Sequence, residues 1–254
     1  MTTIIHVDGD FLACDSKWST IHGLDVNTPI SKYLYVKDSI VCFAGSEFAI
    51  VCMQAVFKKL ISINEYENLL NKQVRNGDSL DYIVVQVNNG KLQTHNLPLR
   101  NFLHNDILYL GSGGEFAAKF FYYAKKVKYK SIYGKNNVEG ALNYAYFKDK
   151  QYSGKPTIIK SWNPKYPIDL TINNDNQIYD TIIYQRLKEL NMLIHNVVAN
   201  KKIAQQSLSH LSASLELAYK PNQHLVTNVS CNSSRMTPKR AEQILKDIKA
   251  FLKD

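Results

Sequence analysis

The chain has 254 residues, a net charge of +9, 45% hydrophobic residues and 21% charged ones. That balance excludes a disordered chain, a collagen-like repeat and a coiled coil, and a chain of this length buries enough surface to fold without disulfides or metals. No uninterrupted apolar run is long enough for a transmembrane helix, and the opening MTTIIHVDGD lacks the basic start of a signal peptide.

Residues 3–7 and 11–14 flank Asp8-Gly9, a hairpin signal. Residues 33–37 and 40–44 pair around Lys37-Asp38. Helices are predicted from Glu47 to Ile61 and over 65–75. DYIVVQV and KLQTHN then flank Asn88-Asn89-Gly90 as a third hairpin, and ILYL at 107–110 is a further strand. Two more helices follow at 115–130 and 137–149, the second with apolar residues at 138, 141, 142 and 145. A strand at 156–160 closes this part. Strands paired by hairpins, with helices in pairs, exclude the alternation of a parallel doubly wound sheet. They predict an α+β fold of antiparallel sheets packed together, with helix layers outside.

After the breaker-rich SWNPKYP, helices are predicted at 176–198, 201–217 and 237–253, the last opening on Thr237-Pro238. The chain therefore reads as a domain over 1–160 and a helical C-terminal extension over 161–254. The cysteines, at 14, 42, 52 and 231, form no CxxC; the first three lie in apolar runs and read as reduced thiols of a cytoplasmic protein. The histidines show no metal-ligand spacing, and no metal or organic cofactor is expected. GSGGEF puts Phe116 where a dinucleotide fingerprint needs Gly or Ala. Lys119, Lys125, Lys126, Lys128 and Lys130 read as a solvated face over an aromatic core face, and no nucleic-acid recognition motif accompanies the basic excess.

Thr2 follows Met1, and a small second residue permits removal of the initiator methionine. A terminal threonine carries a nucleophile and its own base, because the α-amino group, with a pKa of about 7.7–8.0, can take the hydroxyl proton. A nearby lysine cation lowers that pKa toward neutrality.

The segments TTIIHVDGDFLACDS, ISKYLYVKDSIVCFAGS, ILYLGSGGEFAAKFF and ALNYAYFKDKQYSGKP occur in this order. Together they resemble the proteasome β-subunit and bacterial proteasome-like family of N-terminal threonine hydrolases (Ntn-hydrolases), over about residues 2–160. The resemblance implies a four-layer αββα sandwich and a threonine-type peptidase acting through an acyl-threonine intermediate. It makes Thr2 the nucleophile, Asp15 the acid that holds the lysine, and Lys32 the cation that tunes the amine and hydroxyl. Gly45 would supply the oxyanion-hole N–H, Ser112 would hydrogen-bond near the terminal amine, and Asp149 and Ser153 would complete the supporting network. The implied partners are a peptide or unfolded-protein substrate, further copies of the chain in a homo-oligomer, and an unfoldase for which the sequence shows no motif.

Three features depart from the family pattern. Met1, while attached, denies Thr2 a free amine. Asp149 and Ser153 stand one residue further apart than in the family's usual block. The helical extension has no counterpart in minimal members. Two other readings stay open: an inactive scaffold or binding protein that retains Met1, and a small-molecule amidase on the same Ntn scaffold.

Overall fold

The computed structural model of the protein describes residues 2–19, 25–95, 100–102, 107–126, 136–150, 153–166, 169, 173–212 and 235–253. The N-terminal hairpin is β1 (Ile4–Val7) and β2 (Phe11–Asp15), and the second is β3 (Tyr33–Val36) and β4 (Ser39–Gly45). Helices α1 (Glu47–Phe57) and α2 (Ile63–Asn76) follow, then β5 (Leu80–Gln86), β6 (Leu92–His95), β7 (Arg100–Phe102) and β8 (Ile107–Leu110). After these come α3 (Gly114–Lys126), α4 (Asn137–Lys148), β9 (Pro156–Ser161), α5 (Gln177–Ser212) and α6 (Pro238–Lys253).

The strands form two sheets, ordered β7-β8-β1-β2-β9 and β3-β4-β5-β6. Every pairing between named strands is antiparallel. The fold is therefore α+β, with two antiparallel sheets and, among the described residues, six helices. Period-2 alternation sorts the strand residues into separate cores. Ile4, Leu12 and Cys14 of one sheet join Tyr33, Ile40, Cys42, Ile83 and Val85 of the other in a shared cluster. The opposite faces of β1 and β2 (Ile5, Phe11, Ala13) pack with α3 and α4 through Ala118, Phe121 and Leu142. The opposite faces of β4 and β5 (Val41, Phe43, Tyr82, Val84) pack with α1 and α2. Tyr179, Ile183 and Leu187 of α5 and Ile244 and Ile248 of α6 belong to that same cluster.

Three boundaries differ from expectation. The first predicted helix ends at Phe57 rather than Ile61 because Lys59 takes a left-handed φ of 57°. Lys59 N–H then donates to the Val56 carbonyl and Leu60 N–H to that of Ala55, a Schellman cap built without glycine. The three-residue β7 was not predicted; RNF is too short to show alternation. The helices expected at 176–198 and 201–217 are one helix, α5, through Ser212, since no Gly or Pro interrupts 177–212. The expected helical residues 127–130 and 213–217, and Cys231, lie outside the described residues. Cys14, Cys42 and Cys52 are buried free thiols, and burial pushes Cys42 up to about 12. No helix among the described residues is long and apolar enough to cross a membrane.

One end of the sheets is tied by hairpin tips. The Gly90 carbonyl accepts from Gly9 N–H at 3.1 Å and lies 2.9 Å from His6 Nε2. Asp8 Oδ1 accepts from Leu92 N–H at 2.7 Å, and Trp162 Nε1 donates to the Val87 carbonyl at 2.6 Å. His6 is fully buried, and desolvation lowers its pKa below 6.5 against the opposing pull of the Gly90 carbonyl and Asp8. The unfolded chain then binds the proton more readily than the native one. Stability is fully present above about pH 6.5 and is lost as pH falls from there toward the depressed native value. Thermal melting from pH 8 to 5 should show this loss, and His6→Gln should flatten the curve. An equal slope in both proteins would show that another group governs it.

Candidate active site

The other end of β1 and β2 carries the residues singled out in the sequence. Asp15 is the last residue of β2, at a register shift between Cys14 and Asp15, and it is fully buried. A carboxylate survives there only if donors replace its lost water, and three do. Thr3 N–H reaches Oδ2 at 3.1 Å, Gly154 N–H reaches Oδ2 at 2.9 Å, and Lys32 Nζ reaches Oδ1 at 3.2 Å. Lys32, whose side chain is 1% exposed, comes from the other sheet, immediately before β3. Its ammonium also donates to the Lys17 carbonyl and lies 5.3 Å from the centre of the Trp18 ring. The ion pair thus joins the two sheets at this end.

The Thr3 N–H belongs to the Thr2–Thr3 peptide unit, so Asp15 holds that unit and the Lys32 ammonium together. Asp15 N–H returns the bond to the Thr3 carbonyl at 3.0 Å. Thr2 itself is fully buried, and its Oγ1 has no hydrogen-bond partner among the described residues. Such a hydroxyl costs about 1–3 kcal/mol, so folding alone does not account for it. Ser112 Oγ is buried and unpartnered in the same way.

The turn that carries Ser112 is pressed against Thr2. Gly111 has φ +77°, and a Cβ built there would overlap the Thr2 carbonyl oxygen. A Cβ on Gly113 would overlap both Thr3 Oγ1 and Ser153 Oγ. These glycines let β8 pass into α3 while touching the start of β1, as the pairing Ile4↔Leu110 requires.

Thr3 Oγ1 donates to Ser153 Oγ at 2.9 Å, and Ser153 Oγ donates to Asp149 Oδ2 at 3.2 Å. Ser153 N–H donates to the Asp149 carbonyl at 2.8 Å. The four-residue spacing therefore closes as one i to i+4 turn at the end of α4, and the extra residue does not separate the two side chains. Gly45 ends β4 opposite Leu80. Phe43 N–H, two residues earlier, donates to the Lys32 carbonyl at 2.8 Å, which sets the Gly45 end of β4 beside the Lys32 end of β3.

Thr2, Asp15, Lys32, Asp149 and Ser153 are thus gathered around the start of β1, Ser112 lies in the turn whose Gly111 packs on Thr2, and Gly45 ends the strand whose Phe43 bonds the Lys32 carbonyl. Sequence reasoning missed Thr3, Gly154 and the Lys17 carbonyl. The signal for the first two was present, since Thr3 repeats the residue at Thr2 and Gly154 completes the Ser-Gly pair. A backbone carbonyl leaves no trace in a sequence. Among the described residues no group of three His, Cys, Asp or Glu could hold a metal ion.

No protein-family model matches this chain, and no curated protein matches it in sequence. Among solved structures it is similar to a eukaryotic HslV from Trypanosoma brucei. That match has 19% identity and a TM-score of 0.39, and covers 62% of this chain and 97% of the other. It is also similar to a Thiobacillus denitrificans protein, BPH in complex with epoxomicin. Here the identity is 16% and the TM-score 0.39, with 64% of this chain and 99% of the other covered.

Proposed function

We propose that the protein is an N-terminal threonine hydrolase that cleaves peptide bonds, built on a four-layer αββα sandwich over residues 1–160 with 161–254 as a helical extension. The observation that carries this reading is the buried Asp15, bonded at once to the Thr2–Thr3 peptide N–H and to the Lys32 ammonium. The reaction requires the amine of Thr2, so the Met1–Thr2 bond must first be hydrolysed.

The Thr2 amine, kept neutral by the Lys32 cation, takes the proton of Oγ1 as that oxygen attacks the substrate carbonyl. The tetrahedral oxyanion takes the Gly45 N–H; a fixed donor of this kind matters by about 10²–10³ in rate. Collapse breaks the C–N bond, the leaving amine takes the proton, and an acyl-threonine ester remains. Water, deprotonated by the Thr2 amine, then attacks the ester; the ester C–O bond breaks, Oγ1 takes the proton back from that amine, and the acid leaves. Ser112 hydrogen-bonds the amine, while Asp149 and Ser153 hold Thr3 and so the entry into β1. The substrate is a peptide or unfolded protein, and the enzyme is a cytoplasmic homo-oligomer.

Complete burial of Thr2 favours one other reading, a scaffold protein on the same fold that keeps Met1. Intact mass separates the two. Under the hydrolase reading the protein is one methionine lighter than its gene predicts and gains the mass of a β-lactone or epoxyketone at Thr2. Retained Met1 with no added mass would leave the scaffold.

A further inference from the structure

The backbone on both sides of Lys32 is held by residues far along the chain. β3 is an edge strand. Because Phe43 N–H donates to the Lys32 carbonyl, alternation turns the backbone polar groups of Tyr33 and Tyr35 away from β4. Asn174 takes them: Tyr35 N–H donates to its Oδ1 at 2.9 Å, and its Nδ2 donates to the Tyr33 carbonyl at 2.9 Å. On the other side, Ser31 N–H donates to the Tyr179 hydroxyl oxygen at 2.8 Å. Gln54 Nε2 donates to the Ser31 carbonyl at 2.7 Å, and the Tyr179 hydroxyl donates to Gln54 Oε1 at 3.0 Å, closing a ring. Asn174, Tyr179 and Gln54 are all buried.

This stretch is itself anchored. Lys58 pairs with Asp175 and Asp180. Arg186 grips Glu47 through Nε at 2.8 Å and Nη2 at 3.0 Å. Glu47 also accepts from Thr28 Oγ1 at 2.6 Å, on the approach to Lys32.

We propose that residues 174–186 form a clamp, built into the C-terminal extension, that sets the position of the Lys32 ammonium, with Asn174 and Tyr179 as positioning residues. The proposal rests on the threonine-hydrolase reading. A cation displaced from the Thr2 amine holds it neutral less strongly, so the clamp acts on rate and on the pH at which activity appears.

The test uses full-length protein lacking Met1, with Tyr179→Phe and Asn174→Ala as variants. Asn191→Ala is the control; it removes a contact from α5 to Lys72 (3.0 Å). A fluorogenic peptide amide gives kcat and KM against pH, and hydrogen exchange reads the amides of Ser31 and Tyr35. Both clamp variants should lose about 10-fold or more in kcat with KM near wild type, and the acid limb should move to higher pH. Exchange at Ser31 should rise in Tyr179→Phe and at Tyr35 in Asn174→Ala, with melting temperatures lowered by several degrees and the proteins still folded. Asn191→Ala should move none of these. Unchanged exchange in both variants overturns the clamp whatever the activity does. Raised exchange with an unmoved kcat and pH profile overturns the positioning role, and so does a control that shifts equally. If Thr2→Ala hydrolyses the peptide as fast as wild type, the hydrolase reading fails and takes the positioning role with it, while exchange still decides whether the clamp exists.

Discussion

Thr2→Ala is expected to yield a folded protein without measurable peptide hydrolysis, a loss of at least about 10⁴-fold. The substitution removes the only protein atom that the proposed chemistry makes a nucleophile. It should not destabilise the fold, because Thr2 Oγ1 is buried and bonded to nothing among the described residues. Deleting an unpaired buried hydroxyl removes a cost of about 1–3 kcal/mol, offset in part by a lost methyl group. The melting temperature should therefore hold or rise as activity vanishes. Thr2→Ser, which keeps the hydroxyl, should retain part of the rate. A Thr2→Ala protein as active as wild type would dispose of the mechanism.

Asp15→Ala is expected to be the most destabilising single change at the site. It leaves the Lys32 ammonium buried without its carboxylate, and the N–H groups of Thr3 and Gly154 without their acceptor. Breaking a buried pair from one side costs about 3–5 kcal/mol. The pair as a whole contributes much less than this, since desolvating both ions nearly offsets their attraction. The double variant Asp15→Ala/Lys32→Met should therefore recover a substantial part of the stability without recovering activity. Urea unfolding of the two single variants and the double variant measures both. If Asp15→Ala lost less than about 1 kcal/mol, within the range of an exposed pair, the carboxylate would not be the buried hub described above.

The sequence made the local structure readable wherever one short signal decided it. Asp8-Gly9 and Asn88-Asn89-Gly90 mark hairpins because few other residues suit those turns, and alternation marks which strand residues face which core. Asp15 and Lys32 were readable as a pair only through the resemblance, since 17 positions separate them. The end of α1 was not readable, because Lys59 adopts a conformation that glycine usually signals. The single α5 was read as two helices although no Gly or Pro breaks 177–212. Asn174 and Tyr179 gave no sign at all. Each acts through backbone groups 139 to 148 positions away, and a backbone group presents the same chemistry whatever residue carries it.

Those separations set an order of assembly. The hairpins close over loops of a few residues and can form as soon as they are made. Thr3 meets Ser153 across 150 positions, and Ser31 meets Tyr179 across 148. Closures of that span come late, and on a ribosome they wait for the distant partner to emerge. A chain in the course of synthesis therefore carries its threonine in a half-built setting, with Asp15 lacking Gly154 and Lys32 lacking its outer support. On the threonine-hydrolase reading, reactivity is withheld until the segments that carry Gly154 and Tyr179 have been made, so a growing chain is spared its own chemistry and that of its neighbours on the same transcript.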